Sequence, residues 1–269
     1  MIPSPMTPLP AFDPRRIQCV LVGMLFDPEY AARVLGDAPM PELGDRERAL
    51  LRSVDPRALG ADPFRRARAV TTLLDEYPVT AAVLGLGTIE RFFATDDFRR
   101  AVSERGSMAV AFGAWVGERA HGIGRLEAAM AVLRRAGPSP AAAAASNAEV
   151  LCVPARLRAI VVPAGTLAYH TRALQQLGPD VAAALAGPSS HSAERPPRRG
   201  AEHLLVERRD DGSIDLGTGS AALVKLLVFG HAPRTREALG AEAVRLGAEP
   251  GEAHEIIDDL CAQGLLRRA

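Results

Sequence analysis

Apolar residues recur at helical spacing from residue 15 to residue 136, and Pro and Gly break the run into short pieces. The pattern predicts helices over 15–25, 28–35, 45–53, 63–76, 79–84, 88–93, 97–103, 107–120 and 123–136. Residues 137–149 lie in "AGPSPAAAAASNAE", where Pro138 and Pro140 end the helix and small residues follow. That composition reads as a linker. Beyond it the pattern changes. "VLCVPARLRAIVVPAG" (150–165) is rich in Val, Ile and Leu and reads as extended strand. "YHTRALQQLG" (169–178) reads as a short helix, and 186–201, with almost no large apolar residue, as a mobile loop. "EHLLVERR" (202–209) and "SIDLG" (213–217) flank "DDG", which has the Asp-Gly chemistry of a hairpin turn. Helices follow over 219–229, 234–247 and 251–263, with Thr235 placed to cap the second and Pro250 to open the third.

These elements predict an α+β protein. A helical domain over 15–136 and a linker over 137–149 lead into a small winged-helix-like domain over 150–269 with a short antiparallel sheet. In the helix 63–76, Asp62 suits the N-cap and Pro63 the first helical position. Phe64, Ala67, Val70, Thr71, Leu74 and Tyr77 fall on one stripe, expected to face the core. Arg65, Arg66 and Arg68 crowd the first turns, where positive charge opposes the helix dipole. They read either as a solvated face or as a contact for a partner protein or acidic peptide.

Composition narrows the function. The chain has 269 residues with 32 basic and 32 acidic side chains, a net charge of zero. Lys225 is its one lysine, a bias that reads as genome composition before function. From Ala201 to Ala269 eight basic residues meet twelve acidic ones, a net of −4. A groove-reading winged helix gains affinity by neutralising phosphates, so a DNA-binding regulator is the weaker alternative here. The N-terminus lacks a basic-then-apolar signal pattern and no apolar run reaches membrane length, so a cytoplasmic location is expected.

Catalytic motifs are absent or incomplete. "HEIID" (254–258) places Asp258 where a zinc helix needs its second histidine. "GLGTIE" and "GIGRLE" do not complete a dinucleotide fingerprint. Cys19, Cys152 and Cys261 are too far apart for a Cys-x-x-Cys site, and the six histidines show no ligand spacing. No catalytic residue, cofactor site or metal site is assigned. The hairpin offers a different use. Its outer strand can accept an extended peptide as a further strand. The candidate docking residues are Ser213, Ile214, Asp215 and Leu216, with Ile256 and Leu260 of the last helix as a groove wall or as core.

Two stretches resemble a known family. "LGDRERALLRSVDPRALGADPFRRARAVTTLLDEYPVTAAVLG" (43–85) resembles the N-terminal helical domain of partner proteins of multinuclear non-heme iron-dependent oxidases, the methanobactin-type systems that modify ribosomally made peptides. "HLLVERRDDGSIDLGTGSAALVKLLVFG" (203–230), with "LCAQGLL" (260–266), is similar to the RiPP recognition element, a winged-helix-like fold that holds precursor leader peptides. The resemblance implies a non-catalytic subunit that pairs with the oxidase and delivers the leader, the irons residing on the oxidase. It makes Arg65, Arg66 and Arg68 candidates for the partner interface. The long loop 186–201 and the N-terminal "MIPSPMTPLPAF" depart from the family pattern.

Overall fold

The computed structural model describes residues 13–136, 149–186 and 198–269. The fold is α+β and mostly helical, with two small antiparallel sheets of three strands. Most of the expected linker 137–149, most of the loop 186–201 and the N-terminal extension fall outside the described residues. Among the described residues, no helix is long and apolar enough to cross a membrane.

The chain divides into two compact units, one running to Asp75 and including Gly85–Trp115, the other made of Glu76–Leu84 and Val116–Ala269. The first contains α1 (Pro14–Phe26), α2 (Pro28–Leu35), α3 (Asp45–Arg52), α4 (Pro56–Leu59) and all but the end of α5 (Arg65–Glu76). Asp-Pro pairs start three of these helices. Asp13, Asp27 and Asp55 each accept a backbone N–H of the first turn, from Arg15, Tyr30 and Arg57 at 2.9–3.0 Å. The proline beside each sits where a missing N–H costs nothing.

Helix α6 (Pro78–Leu84) belongs to the second unit; α7 (Leu86–Phe92), α8 (Asp96–Ser103) and most of α9 (Met108–Val116) belong to the first. Phe26, Phe92, Phe93, Phe98 and Phe112 gather there with Trp115, edge-to-face at 4.8 Å for Phe26–Phe98 and 5.0 Å for Phe93–Phe98. This cluster takes five of the eight phenylalanines and the single tryptophan of the chain. It concentrates the large apolar surfaces in one core.

Helix α5 corrects the expected stripe. Phe64 is 68% exposed, and Ala67 and Thr71 are exposed too. The later part of the stripe holds, with Leu74 and Tyr77 buried and Val70 half-buried, and Leu73 and half-buried Ala69 join it. The reason lies at the start. Asp62 accepts from Phe64 N–H at 3.1 Å, but residues 63 and 64 form a turn and the helix begins at Arg65. Arg65 and Arg66 then lie half-buried, with their charged tips on backbone carbonyls.

The second unit holds the remaining elements. After a 3₁₀ turn at Gly117–Ala120 come α10 (His121–Arg135), β1 (Val150–Cys152), β2 (Leu157–Val162), α11 (Thr166–Leu177) and α12 (Val181–Ala186). Then follow β3 (Glu202–Arg208), β4 (Ile214–Thr218), α13 (Ala221–Phe229), β5 (Arg234–Thr235), α14 (Arg236–Arg245), α15 (Ala253–Ala262) and β6 (Arg267–Arg268). The expected strand 150–165 is two strands in two sheets. β1 pairs with β5 and β6, while β2 joins β3 and β4 in the order β2-β3-β4. Thr235 caps α14 as expected, accepting from Ala238 N–H at 3.2 Å.

Strands β2 and β3 are covered on both faces, β4 on one. Strand side chains alternate, so even positions Ile160, Val162, Leu204, Val206, Ile214 and Leu216 cluster with Leu126, Ala129 and Leu133 of α10. Odd positions Leu157, Ala159, Val161 and Leu205 join the core of α13, α14 and α15. Near its start α10 approaches the β2–α11 connection closely. A Cβ added at Gly122 would lie 2.5 Å from Pro163 Cδ and 2.6 Å from Thr166 Oγ1.

Alanine in place of a helical glycine normally stabilises by up to about 1 kcal/mol. At Gly122 the clash outweighs that gain. Gly122→Ala should destabilise the protein by roughly 1–3 kcal/mol, the cost of overpacking a fitted contact. Urea denaturation checks this, and a raised midpoint would contradict the close approach.

Candidate functional site

The hairpin register fixes which backbone groups of the sheet are free. Arg209 N–H bonds the Ser213 carbonyl at 2.8 Å, and Gly219 N–H bonds the His203 carbonyl at 2.9 Å. Between these ends, Glu207 pairs with Asp215 and Leu205 with Gly217. Hydrogen-bonded pairs alternate with non-bonded ones in an antiparallel ladder. Residues 213, 215, 217 and 219 therefore bond β3. Ile214, Leu216 and Thr218 point their N–H and C=O groups away from it. Among the described residues nothing pairs with that outer edge.

The opposite edge, on β2, is closed. There the outward positions are 157, 159 and 161. Leu157 N–H bonds the Pro154 carbonyl at 2.9 Å, and Arg125 donates to the Val161 carbonyl at 2.9 Å. His231 Nε2 lies 3.1 Å from Ala159 N and 3.2 Å from Ala159 O, so either tautomer meets an edge group. Local contacts thus protect the β2 edge from strand addition, and among the described residues none protects the β4 edge.

The four hairpin candidates lie together. Asp211 Oδ1 holds the turn by accepting from Ser213 N–H at 2.9 Å and from its hydroxyl at 2.6 Å. These bonds keep the Asp211 carboxyl below the usual range. Asp215 pairs with Arg209, Nε to Oδ2 at 3.0 Å. Gly212 adopts φ +85°, the left-handed turn position that the Asp-Gly signal anticipates. Ile214 and Leu216 are half-buried toward α10. Ile256 and Leu260 lie elsewhere, in the core of α13, α14 and α15, with Leu260 buried and Ile256 half-buried. The face of β4 that carries its large apolar side chains is bounded by α10.

The three arginines of α5 have internal partners. Arg65 donates to the Leu59 carbonyl at 3.4 Å, at the end of α4. Arg66 donates to the Phe26 carbonyl at 3.3 Å, the last of α1, and faces Glu90 at 3.7 Å. Arg68 pairs with Asp62, whose carboxyl is held low by that guanidinium. Arg65 and Arg66 thus meet carbonyls at the ends of other helices, and Arg68 a carboxylate before its own helix.

A buried polar centre escapes the sequence pattern. Glu127 of α10 is 1% exposed. Its two oxygens accept from Val79 N–H at 3.0 Å and Thr80 N–H at 2.9 Å, the first turn of α6. His170 of α11 is 2% exposed, and its Nε2 lies 3.2 Å from the same carboxylate. The signal was present: Glu127 stands four residues after Ile123 and one after Leu126, on the apolar stripe of its helix. Among the described residues no group of three His, Cys, Asp or Glu side chains could hold a metal ion.

Removing one partner of a buried pair leaves the others unsatisfied. Glu127→Ala should cost about 3–5 kcal/mol. A loss under about 1 kcal/mol in urea denaturation would show the centre to be dispensable. His231 gives a pH test. Burial holds its imidazole below the ordinary value and the Arg158 charge adds to this, while the bond to Ala159 acts the other way. The unfolded chain then takes up the proton more readily, so stability falls as pH drops through about 6.5. His231→Gln should flatten this limb; parallel curves for both proteins between pH 5 and 8 would refute the assignment. No protein-family profile matches this chain, and comparison with curated proteins gives no significant match.

Proposed function

We propose that this chain is a non-catalytic recognition subunit. It binds the leader of a ribosomally synthesised precursor peptide and presents it to a separate multinuclear non-heme iron-dependent oxidase. The observation that carries the reading is the outer edge of β4, unpaired among the described residues, beside a closed edge on β2. An extended leader gains main-chain hydrogen bonds there without any rearrangement of the sheet. The β3–β4 hairpin followed by α13, α14 and α15 supports a winged-helix-like reading, with α11 and α12 standing between β2 and β3. The acidic excess of 201–269 favours a peptide over a duplex as the guest.

The oxidase would supply the iron and the chemistry of the precursor core. This chain would supply orientation: a leader fixed as a strand leaves its following segment at a defined place, which raises the effective concentration of the core at the oxidase. Thr218 offers the cleanest probe, because its side chain is exposed and its N–H points outward. Proline there removes one docking donor and leaves the β3–β4 ladder intact.

Co-expression with a multinuclear non-heme iron-dependent oxidase from the same genome should yield a complex that binds a fluorescent leader peptide. Thr218→Pro should weaken leader binding by about tenfold or more, the loss of one hydrogen bond plus local crowding. Unchanged affinity in a folded variant, or no complex and no leader binding for the unaltered chain, would defeat the proposal.

A further inference from the structure

The guest of the β4 edge has a chemistry that its surroundings specify, granted the reading of that edge given above. The even positions Ile214 and Leu216 are only half-buried, and Met130 of α10 lies half-buried in the same cluster. A strand laid along β4 places alternate side chains on this side, where apolar groups complete the cover. The other side of β4 presents Ser213, Asp215 and Gly217, all exposed. Guest side chains there remain in water.

Charge selects what those wet positions carry. From Glu202 to Thr218 five acidic side chains meet two basic ones, a net of −3. Both arginines are engaged, Arg208 with the Ala136 carbonyl and Arg209 with Asp215. Asp210 and Asp211, at the turn beside the start of β4, are exposed and have no cation within ion-pair distance among the described residues. An acidic guest would meet like charge along this rim. So would a second copy of the chain, which brings another net-negative hairpin to the same edge.

We infer that the β4 edge accepts a basic strand: apolar residues alternate with lysine or arginine, the apolar ones toward α10 and the basic ones toward Asp215 and the Asp210–Asp211 turn. Backbone pairing holds such a strand in place, and period-two alternation sets its face.

Two fluorescein-labelled heptapeptides test this on the full chain, one alternating valine and lysine, the other valine and glutamate. The lysine peptide should bind, more weakly as salt rises, and the glutamate peptide about tenfold less tightly or worse. Asp210→Lys, an exposed change that leaves the turn bonds of Asp211 intact, should weaken the lysine peptide by about threefold. Thr218→Pro should remove its binding. Equal binding of both peptides, binding of neither, or indifference to Asp210→Lys overturns the inference. So does sedimentation showing a dimer that Thr218→Pro dissociates, because the edge then belongs to a second copy. If the lysine peptide binds as described and a leader peptide does not, the basic-strand inference stands and leader delivery fails.

Discussion

The carboxylate of Glu127 constrains the arrangement of the second unit. A carboxyl group 1% exposed to water is unfavourable unless its oxygens are hydrogen-bonded. Glu127 meets that condition with two amides of α6 and the ring of His170. The amides are also the unpaired donors of a helix start, so one side chain satisfies two deficits at once. The consequence is geometric. α10 must hold a fixed height and rotation relative to α6 and α11. Leu126, Ala129 and Leu133 then meet the sheet face of Leu204 and Val206. Nearby, Glu76 strengthens the same junction. Burial pushes its carboxyl up, but Arg135 and Arg134, at 2.8 and 2.7 Å, outweigh that and hold it low.

Fixing α10 also decides the character of the sheet. A three-stranded sheet has two edges, and each is a hazard for uncontrolled pairing. At the β2 edge, Arg125 of α10 and His231 after α13 both reach outward groups. The edge of β4 lacks such cover among the described residues. Ile214 and Leu216 of that strand pack, half-buried, toward α10. If a guest strand docks there, little ordering cost would remain on the protein side, because β4 is already held by its ladder to β3.

Much of this was legible where the signal is local. The Asp-Gly turn and the alternation of 202–218 located the hairpin, and Asp-Pro pairs located helix starts. Strands β5 and β6 were not legible. Each has two residues, and their pairing with β1 depends on contacts from far along the chain. Helix α12 was missed although Asp180 accepts from Ala183 N–H at 2.9 Å, a cap visible in "GPDVAA". The expected stripe of α5 held at Leu74 and Tyr77 but failed at its start, for a definable reason. Asp62 and Pro63 read as cap and first position, but the helix starts two residues after Pro63, which turns Phe64 outward. Of the candidate site, the hairpin residues were legible as one patch. The bounding helix was not, because which face of β4 its apolar side chains use follows from register, and register is a tertiary fact.

That register gives Ile214 and Leu216 two roles at once. Their N–H and C=O groups form the outer rim, while their side chains close the α10 face. A pleated strand separates the two functions in direction but not in position. Changing Leu216 to a polar residue disturbs packing beside Met130 and the rim together, so a lost affinity there says little about docking alone. Thr218 escapes the coupling, because it shares the outward backbone direction and keeps its side chain in water. The core that sets the rim straight is thus the same core that a guest strand would extend. Any guest that completes it gains apolar burial in proportion to how closely its own alternation matches that of β4.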